Sequence, residues 1–285
     1  MARLLARTLG AEVHLVHVIR PAADSDMKMP QDDLEWTQSV REGAEVYLDE
    51  AAAAFRDDGV TVRIATLEGR VVPALGEYLE EHGIPLVVMT THGAGGLQRW
   101  WLGSVADGLL RRSGTDLLLA RPWDETEERP DGEPRFSQLL VPLDGSVEGE
   151  AALDPARHLA RTFDAQGTIL RVVPAPVELT SIYGMAGVRM EGEGHRTRTT
   201  EAEEYLAEVT ASENDDTWSA KVAENRSAAE GVIKAAQELD ADLIVLSTHG
   251  RGGLARVVLG SVADKIIRGT TRPVLAVRPR APDDA

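Results

Sequence analysis

The sequence contains no cysteine, which excludes disulfide bonds and any metal site built on thiolates. No apolar run approaches the ~20 residues that cross a bilayer, and the amino-terminal MARLLARTLG lacks a secretory signal pattern. Positive charge is scarce: 30 Lys and Arg stand against 47 Asp and Glu, and the net charge is −17. Such a chain lacks the basic surface that nucleic acid requires, although a small anion can bind where local geometry favours it. We therefore expect a soluble cytoplasmic protein that binds neither nucleic acid nor membrane.

One stretch of the 285-residue chain occurs twice. TTHGAGGLQRWWLGSVAD at 90–107 and STHGRGGLARVVLGSVAD at 247–264 are identical at thirteen of eighteen positions, with a shift of 157. Nearer the start of each copy, ARLLART at 2–8 matches ARHLART at 156–162 with a shift of 154. A repeat of this length indicates a duplicated domain. The predicted limits are 1–122 for the first domain, 123–135 for a charged linker and 136–285 for the second domain.

The repeated stretch passes from the end of an apolar strand through glycines into a helix. SVAD fits a helix-capping pattern, with Ser261 as the N-cap and Asp264 at the third helical position. The same geometry presents unpaired N–H groups and the positive end of a helix dipole, which together form an anion site, most often for phosphate. Arg251 adds a positive charge to the loop. The stretch lacks the P-loop lysine and the G-x-G-x-x-G dinucleotide pattern.

LVPLDGS places Asp144 at the carboxyl end of the first strand of the second copy. Ligands of open parallel sheets bind beyond these ends, where the strand order reverses. If the first and fourth strands are neighbours, Asp144 and the loop at 247–261 face one crevice. Its carboxylate then accepts a hydrogen bond from an amino group such as that of adenine. Asp-Gly-Ser is also ordinary turn chemistry, and both interpretations remain open.

These motifs together resemble the universal stress protein family, whose pattern is G-x-x-G, nine residues and G-[ST]. Gly250 and Gly260-Ser261 match the second copy to that pattern, and the first copy matches in the same way. Ser247 and Thr90 stand where the pattern has its first glycine, so close ligand approach at that position is in question. The resemblance covers both copies and implies a tandem protein of this family.

The resemblance implies an α/β fold with two open parallel five-stranded sheets, strand order 3-2-1-4-5 and helices on both faces. It also implies ATP, alone or with Mg²⁺, as the ligand, and it assigns no catalytic residue and no metal ligand. The implied binding residues are Pro142, Asp144, Val172, Leu246, Ser247, Gly250, Gly260, Ser261 and Val262. Arg251 of the loop is added to them for its positive charge. A weaker second site in the first copy would comprise Val18, Met89, Gly93, Gly103 and Ser104.

The first copy has no counterpart of the first strand, because Met1 aligns with Pro155, inside a helix. In the implied order that strand is central, so the strands predicted at 11–19 and 85–90 lose their shared neighbour. A start assigned too late, degeneration of the copy, or another segment filling the gap would each explain this. We expect a start further upstream.

The last strands of the resembling family pair antiparallel across a dimer. DLLLAR and PVLAVR would do so within one chain and form an intrachain pseudo-dimer, with a homodimer as a further arrangement. The leading hypothesis is an ATP-binding stress-response regulatory module that acts mainly through its second copy. A slow ATPase and a non-binding interaction scaffold are the alternatives. His92 and His249 have no matching acid, base or nucleophile, so we expect them to support their loops.

Overall fold

The computed structural model describes most of both copies. The described residues are 1–20, 34–91, 102–120, 135–176, 178–179, 188–189, 193–211, 217–250 and 259–279. They fall into two compact units. The first contains the described parts of Met1–Pro85 and Asp107–Ser113, and the second those of Leu86–Ala106, Gly114–Pro130 and Arg135–Ala285. Within these ranges, no helix has the length and apolarity needed to cross a bilayer.

The first unit is built on a two-stranded parallel sheet. Its elements are α1 (Ala2–Leu9), β1 (Val13–Ile19), α2 (Leu34–Asp57), β2 (Val62–Glu68) and α3 (Val71–Glu81). β1 and β2 pair in parallel along their whole length, and α2 packs on both strands. Ala44, Leu48 and Ala52 are buried on α2, and their spacing of four residues places them on one face of the helix. α4 (Ser104–Arg112) contributes residues to both units.

The second unit holds the larger sheet. Its strands in that sheet are β3 (Leu86–Thr90), β4 (Asp116–Ala120), β5 (Gln138–Pro142), β6 (Gln166–Pro174), β9 (Trp218–Asn225), β10 (Leu243–Ser247) and β11 (Val274–Val277). A separate antiparallel pair consists of β7 (Glu178–Leu179) and β8 (Val188–Arg189). The helices are α5 (Val147–Glu150), α6 (Leu153–Phe163), α7 (Glu193–Ala211), α8 (Ala228–Glu238) and α9 (Ser261–Gly269).

The seven strands lie in the order β3-β4-β11-β10-β5-β6-β9. Every neighbouring pair is parallel except β4 and β11. β5 and β10 are buried along their central residues, as strands covered on both faces must be. Within the second copy alone the order is β9-β6-β5-β10-β11, which is 3-2-1-4-5 in the numbering of that copy. The α/β class with parallel-dominated sheets is therefore confirmed.

The prediction of one sheet for each copy is wrong for the first copy. β1 and β2 form their own sheet, whereas β3 and β4 extend the sheet of the second copy. The physical reason is the absence of a counterpart of β5. No described strand of the first copy stands between β1 and β3, and β4 pairs with β11.

The last strands of the two copies pair antiparallel. Leu117, Leu118 and Leu119 lie opposite the residues of β11 and are each at most 2% exposed. The Asp116 carboxylate accepts a hydrogen bond from the backbone N–H of Arg278 over 2.8 Å. Asp116 stands where the second copy has a proline, so the difference between the copies secures one end of this strand pair.

Candidate functional site

A cavity of about 730 Å³ opens at the carboxyl ends of β5, β6 and β10. Its volume is in the range of small-molecule sites in proteins. Of the residues predicted for the site in the second copy, those that line this cavity are Pro142, Asp144, Val172, Leu246, Ser247, Gly250, Gly260, Ser261 and Val262. Arg251 lies outside the described residues. Because β5 and β10 are neighbours, the turn of Asp144 and the described ends of the segment 247–261 meet at this cavity. A role of these residues in binding stays a prediction.

Asp144 is fixed by the turn that follows β5. Its Oδ1 accepts hydrogen bonds from the backbone N–H of Ser146 over 3.0 Å and from the Ser146 hydroxyl over 2.5 Å. The Ser146 hydroxyl oxygen in turn accepts from the N–H of Gly149 over 3.0 Å and caps α5. The turn chemistry foreseen for Asp-Gly-Ser is therefore present, and it holds the carboxylate at the cavity wall.

Two glycines enclose the Asp144 carboxylate. A Cβ added at Gly250 would lie 2.5 Å from Oδ2, and one added at Gly149 would lie 2.7 Å from Oδ1. Real Cβ atoms do not approach oxygen this closely, so either side chain would displace the carboxylate. Gly250 comes from the glycine loop and Gly149 from α5, which sequence reasoning did not single out. Both glycines line the cavity beside the carboxylate.

The start of α9 is uncapped by any side chain. The N-cap is Gly260, and no side chain makes a capping hydrogen bond there. The prediction that Ser261 caps this helix is therefore wrong by one residue, and the Asp264 carboxylate accepts from the Arg268 guanidinium instead. The first bond of the helix runs from the N–H of Asp264 to the carbonyl of Gly260. The amides that precede it belong to residues lining the cavity, and they present N–H groups and the positive end of the helix dipole.

Strand end and helix start are joined by a backbone bond in both copies. Gly260 N–H donates to the carbonyl of Thr248 over 2.8 Å, and Gly103 N–H donates to the carbonyl of Thr91 over 2.7 Å. A Cβ at Gly103 would lie 3.0 Å from that carbonyl oxygen. The glycine after the nine-residue segment thus permits close backbone contact in each loop.

His249 supports the loop in a neutral form. Thr248 Oγ1 donates to the carbonyl of Val277 and therefore accepts from His249 Nδ1 over 3.0 Å. Burial, with a smaller contribution from the charge of Arg278, holds the pKa of His249 below its usual value. Nε2 is buried and makes no hydrogen bond with any described residue. Apart from the Thr248 hydroxyl, no hydroxyl of the described cavity wall hydrogen-bonds to this ring. His92 lies outside the described residues.

The wall contributed by α7 was not predicted. Arg198 and Glu201 of α7 line the cavity, as does Arg171 near the end of β6. Tyr205 lies behind them: its hydroxyl donates to Glu150 Oε1 over 2.8 Å, and burial raises its pKa above the usual value. α7 lies in a segment of weak sequence periodicity, so the sequence did not indicate which of its residues face the cavity.

The residues predicted for a second site are not gathered into one unit. Val18 lies on β1 in the first unit, whereas Met89, Gly103 and Ser104 belong to the second. Gly93 lies outside the described residues. Because Met1 aligns with Pro155, no described residue of the first copy aligns with Asp144. In neither copy do the described residues bring three His, Asp or Glu side chains together as a metal site.

Comparison with known proteins gives one family. The model of the universal stress protein family matches residues 1–121 and again 135–278. A universal stress protein of Mycobacterium tuberculosis is 29% identical over 275 residues, covering 93% of this chain and 86% of its own length. One of Bacillus subtilis is 30% identical over 154 residues, covering 50% of this chain and 99% of its own length.

Solved structures share the fold. A universal stress protein of Archaeoglobus fulgidus superposes with a TM-score of 0.70 at 19% identity, covering 97% of this chain and 91% of its own. A putative universal stress protein of Pseudomonas aeruginosa gives 0.62 at 16% identity, with coverages of 96% and 95%. The likeness extends over both copies.

Proposed function

The chain belongs to the universal stress protein family, with two family domains in tandem, and we propose that its second copy binds an adenine nucleotide. ATP is the proposed ligand, and a cytoplasmic stress-response regulatory module is the proposed role. One observation carries the proposal: the uncapped start of α9 and the fixed carboxylate of Asp144 line the same cavity of about 730 Å³.

The cavity offers complementary surfaces for the two ends of a nucleotide. Leu170, Val172 and Leu246 supply apolar walls for a purine ring. A carboxylate has about four acceptor positions, so Asp144 can accept from the amino group of adenine while it keeps its bonds to the turn. The amides at the start of α9 suit the phosphates. Mg²⁺, where bound, would enter with the phosphates.

The regulatory role is favoured over hydrolysis by the composition of the wall. The described lining residues include no lysine and no cluster of carboxylates placed for a metal ion. Phosphoryl transfer normally depends on such groups to neutralise charge in the transition state. Nucleotide binding that shifts the loop before α9 requires neither.

The β4–β11 pairing supports an intrachain pseudo-dimer. Antiparallel pairing of the last strands of two copies covers two sheet edges that single domains would leave open. We propose that this tandem chain supplies within one molecule the contact that separate domains would make between molecules. Sedimentation equilibrium of the purified chain tests whether a homodimer forms in addition.

Titration calorimetry of the full-length protein with ATP tests the proposed function. We expect about one ATP for each chain, because within the described residues the helix start and a strand-end carboxylate line one cavity in the second copy. Gly260→Asp adds a negative charge at the start of α9 and should abolish measurable binding. The matched variant Gly103→Asp makes the same change in the first copy and should leave the binding constant unchanged. Wild-type protein that takes up no ATP, or equal binding by Gly260→Asp, would overturn the proposal.

A further inference from the structure

We propose that Arg171, held by the face of Tyr205, is a ligand-contacting residue that recognises the negative charge of the nucleotide in the second-copy cavity. This inference rests on the proposed function and names how the same site tells a nucleotide from a nucleoside. It assigns a role to the cavity wall formed by the end of β6 and by α7. The residues of this wall are not part of the loop motif.

The Arg171 side chain is half-buried at the cavity and makes no ion pair with any described carboxylate. Its guanidinium carbon lies 4.8 Å from the centroid of the Tyr205 ring. Within the described part of the chain, the side chain makes no other ring contact, ion pair or hydrogen bond. A guanidinium carries five N–H donors, and contact with a ring face provides none of them with a carboxylate or carbonyl acceptor. Because Arg171 also lines the cavity, these donors are available to a ligand there.

Tyr205 is itself held in place. Its hydroxyl donates to Glu150 over 2.8 Å, and Glu150 ends α5, which follows the turn of Asp144. The ring therefore connects α7 to the segment that carries the carboxylate. Tyr205 is a positioning residue, since it acts on the ligand through Arg171.

The first copy provides an internal comparison. AEVYL at 44–48 and AEEYL at 202–206 share their tyrosine, and His17 stands where the second copy has Arg171. The ring of His17 lies edge-on to that of Tyr47, 6.5 Å from it. The pair of a tyrosine and a side chain from the end of a strand is thus common to both copies, whereas the permanent positive charge occurs in the copy that also has Asp144.

The positive charge of Arg171 lies at a cavity whose wall also carries negative charge. The cavity wall carries the carboxylates of Asp144 and Glu201, in a chain of net charge −17. Among the described lining residues, Arg171 and the exposed Arg198 are the side chains with a permanent positive charge. Arg171 is the more buried of the two, so water screens its interaction with an anion less.

The test compares ATP with adenosine by titration calorimetry of the full-length protein. Arg171→Ala should weaken ATP binding about tenfold to a hundredfold, the usual range for the loss of a charged hydrogen bond. Adenosine binding should change by no more than roughly twofold, the margin of a rim substitution. Arg161→Ala removes the same charge from an exposed position on α6 and should affect neither ligand. Asp144→Ala should weaken both ligands alike, because it acts on the base.

Two variants of the supporting ring separate positioning from folding. Tyr205→Phe keeps the ring face and should lose less ATP affinity than Tyr205→Leu, and neither should change adenosine binding. Arg171→Gln preserves most of the side-chain volume and should reproduce the effect of Arg171→Ala. Unchanged ATP affinity in both Arg171 variants, or equal losses for ATP and adenosine, would overturn this inference while the proposed function stands. Wild-type protein that binds neither ligand would overturn both.

Discussion

Replacing Gly250 with alanine should destabilise the second unit through one contact. The added Cβ would lie 2.5 Å from Asp144 Oδ2, where ordinary contact begins at 3.4 Å, so the two groups must separate by about 0.9 Å. Moving the carboxylate that far breaks the geometry of its bonds to the Ser146 amide and hydroxyl. Overpacking of this kind costs about 1–3 kcal/mol in the free energy of unfolding. Gly250 does not have a left-handed φ, so backbone strain adds nothing.

A double-mutant cycle isolates that contact. Gly250→Ala should cost about 1–3 kcal/mol beside Asp144 and much less in an Asp144→Ala background, which corresponds to a coupling energy of about 0.5–3 kcal/mol. Urea denaturation of the full-length variants measures each corner of the cycle. Gly76→Ala, inside α3 with nothing within 4 Å of the added Cβ, is the control, and its effect should be additive with Asp144→Ala. Equal costs of Gly250→Ala in both backgrounds would refute the assignment of that contact.

Two further predictions concern the strand pair and the loop. Asp116→Ala should lower the free energy of unfolding by about 1 kcal/mol, measured by urea denaturation, because the N–H of Arg278 loses its acceptor; no loss would mean that water replaces the carboxylate. Burial and the charge of Arg278 lower the pKa of His249, against a smaller opposing effect of Glu148. Below the ordinary histidine pKa near 6.5 the unfolded chain therefore takes up a proton that the folded chain resists, so stability is complete above that pH and falls below it. His249→Gln should reduce the change of the thermal unfolding midpoint between about pH 7 and pH 5, whereas the exposed His158→Gln should not. Equal pH profiles for wild type and His249→Gln would contradict this.

Features set by neighbouring residues could be predicted from the sequence. The apolar runs of β5 and β10 indicate strands buried on both faces, and they occupy the interior of the sheet. Asp144 and Gly260 line one cavity because each follows a strand and the two strands are adjacent. The cap of α9 was predicted one residue too late, since Ser261 has the right chemistry but Gly260 occupies the capping position.

Features set by distant contacts could not be predicted. The α7 wall depends on how Tyr205 meets Arg171 and Glu150, and no local period reveals such a contact. The repeated tyrosine of AEVYL and AEEYL was the available signal. Likewise, the sequence indicated that the first copy has no counterpart of β5. It did not indicate that β4 would pair with the edge of β11, because that pairing depends on a distant contact.

The asymmetry between the copies follows from what each structural feature requires. The glycine loop is a local device: a strand end and a helix start joined by one backbone bond, of 2.7 Å at Gly103 and 2.8 Å at Gly260. It persists in the first copy without a complete sheet. A crevice at a switch point is not local, because it needs a strand flanked by neighbours on both sides. β5 is flanked by β6 and β10, whereas β1 and β3 of the first copy belong to different compact units. The carboxylate and the crevice thus depend on the central strand, whereas the backbone bond between strand end and helix start is present in both copies.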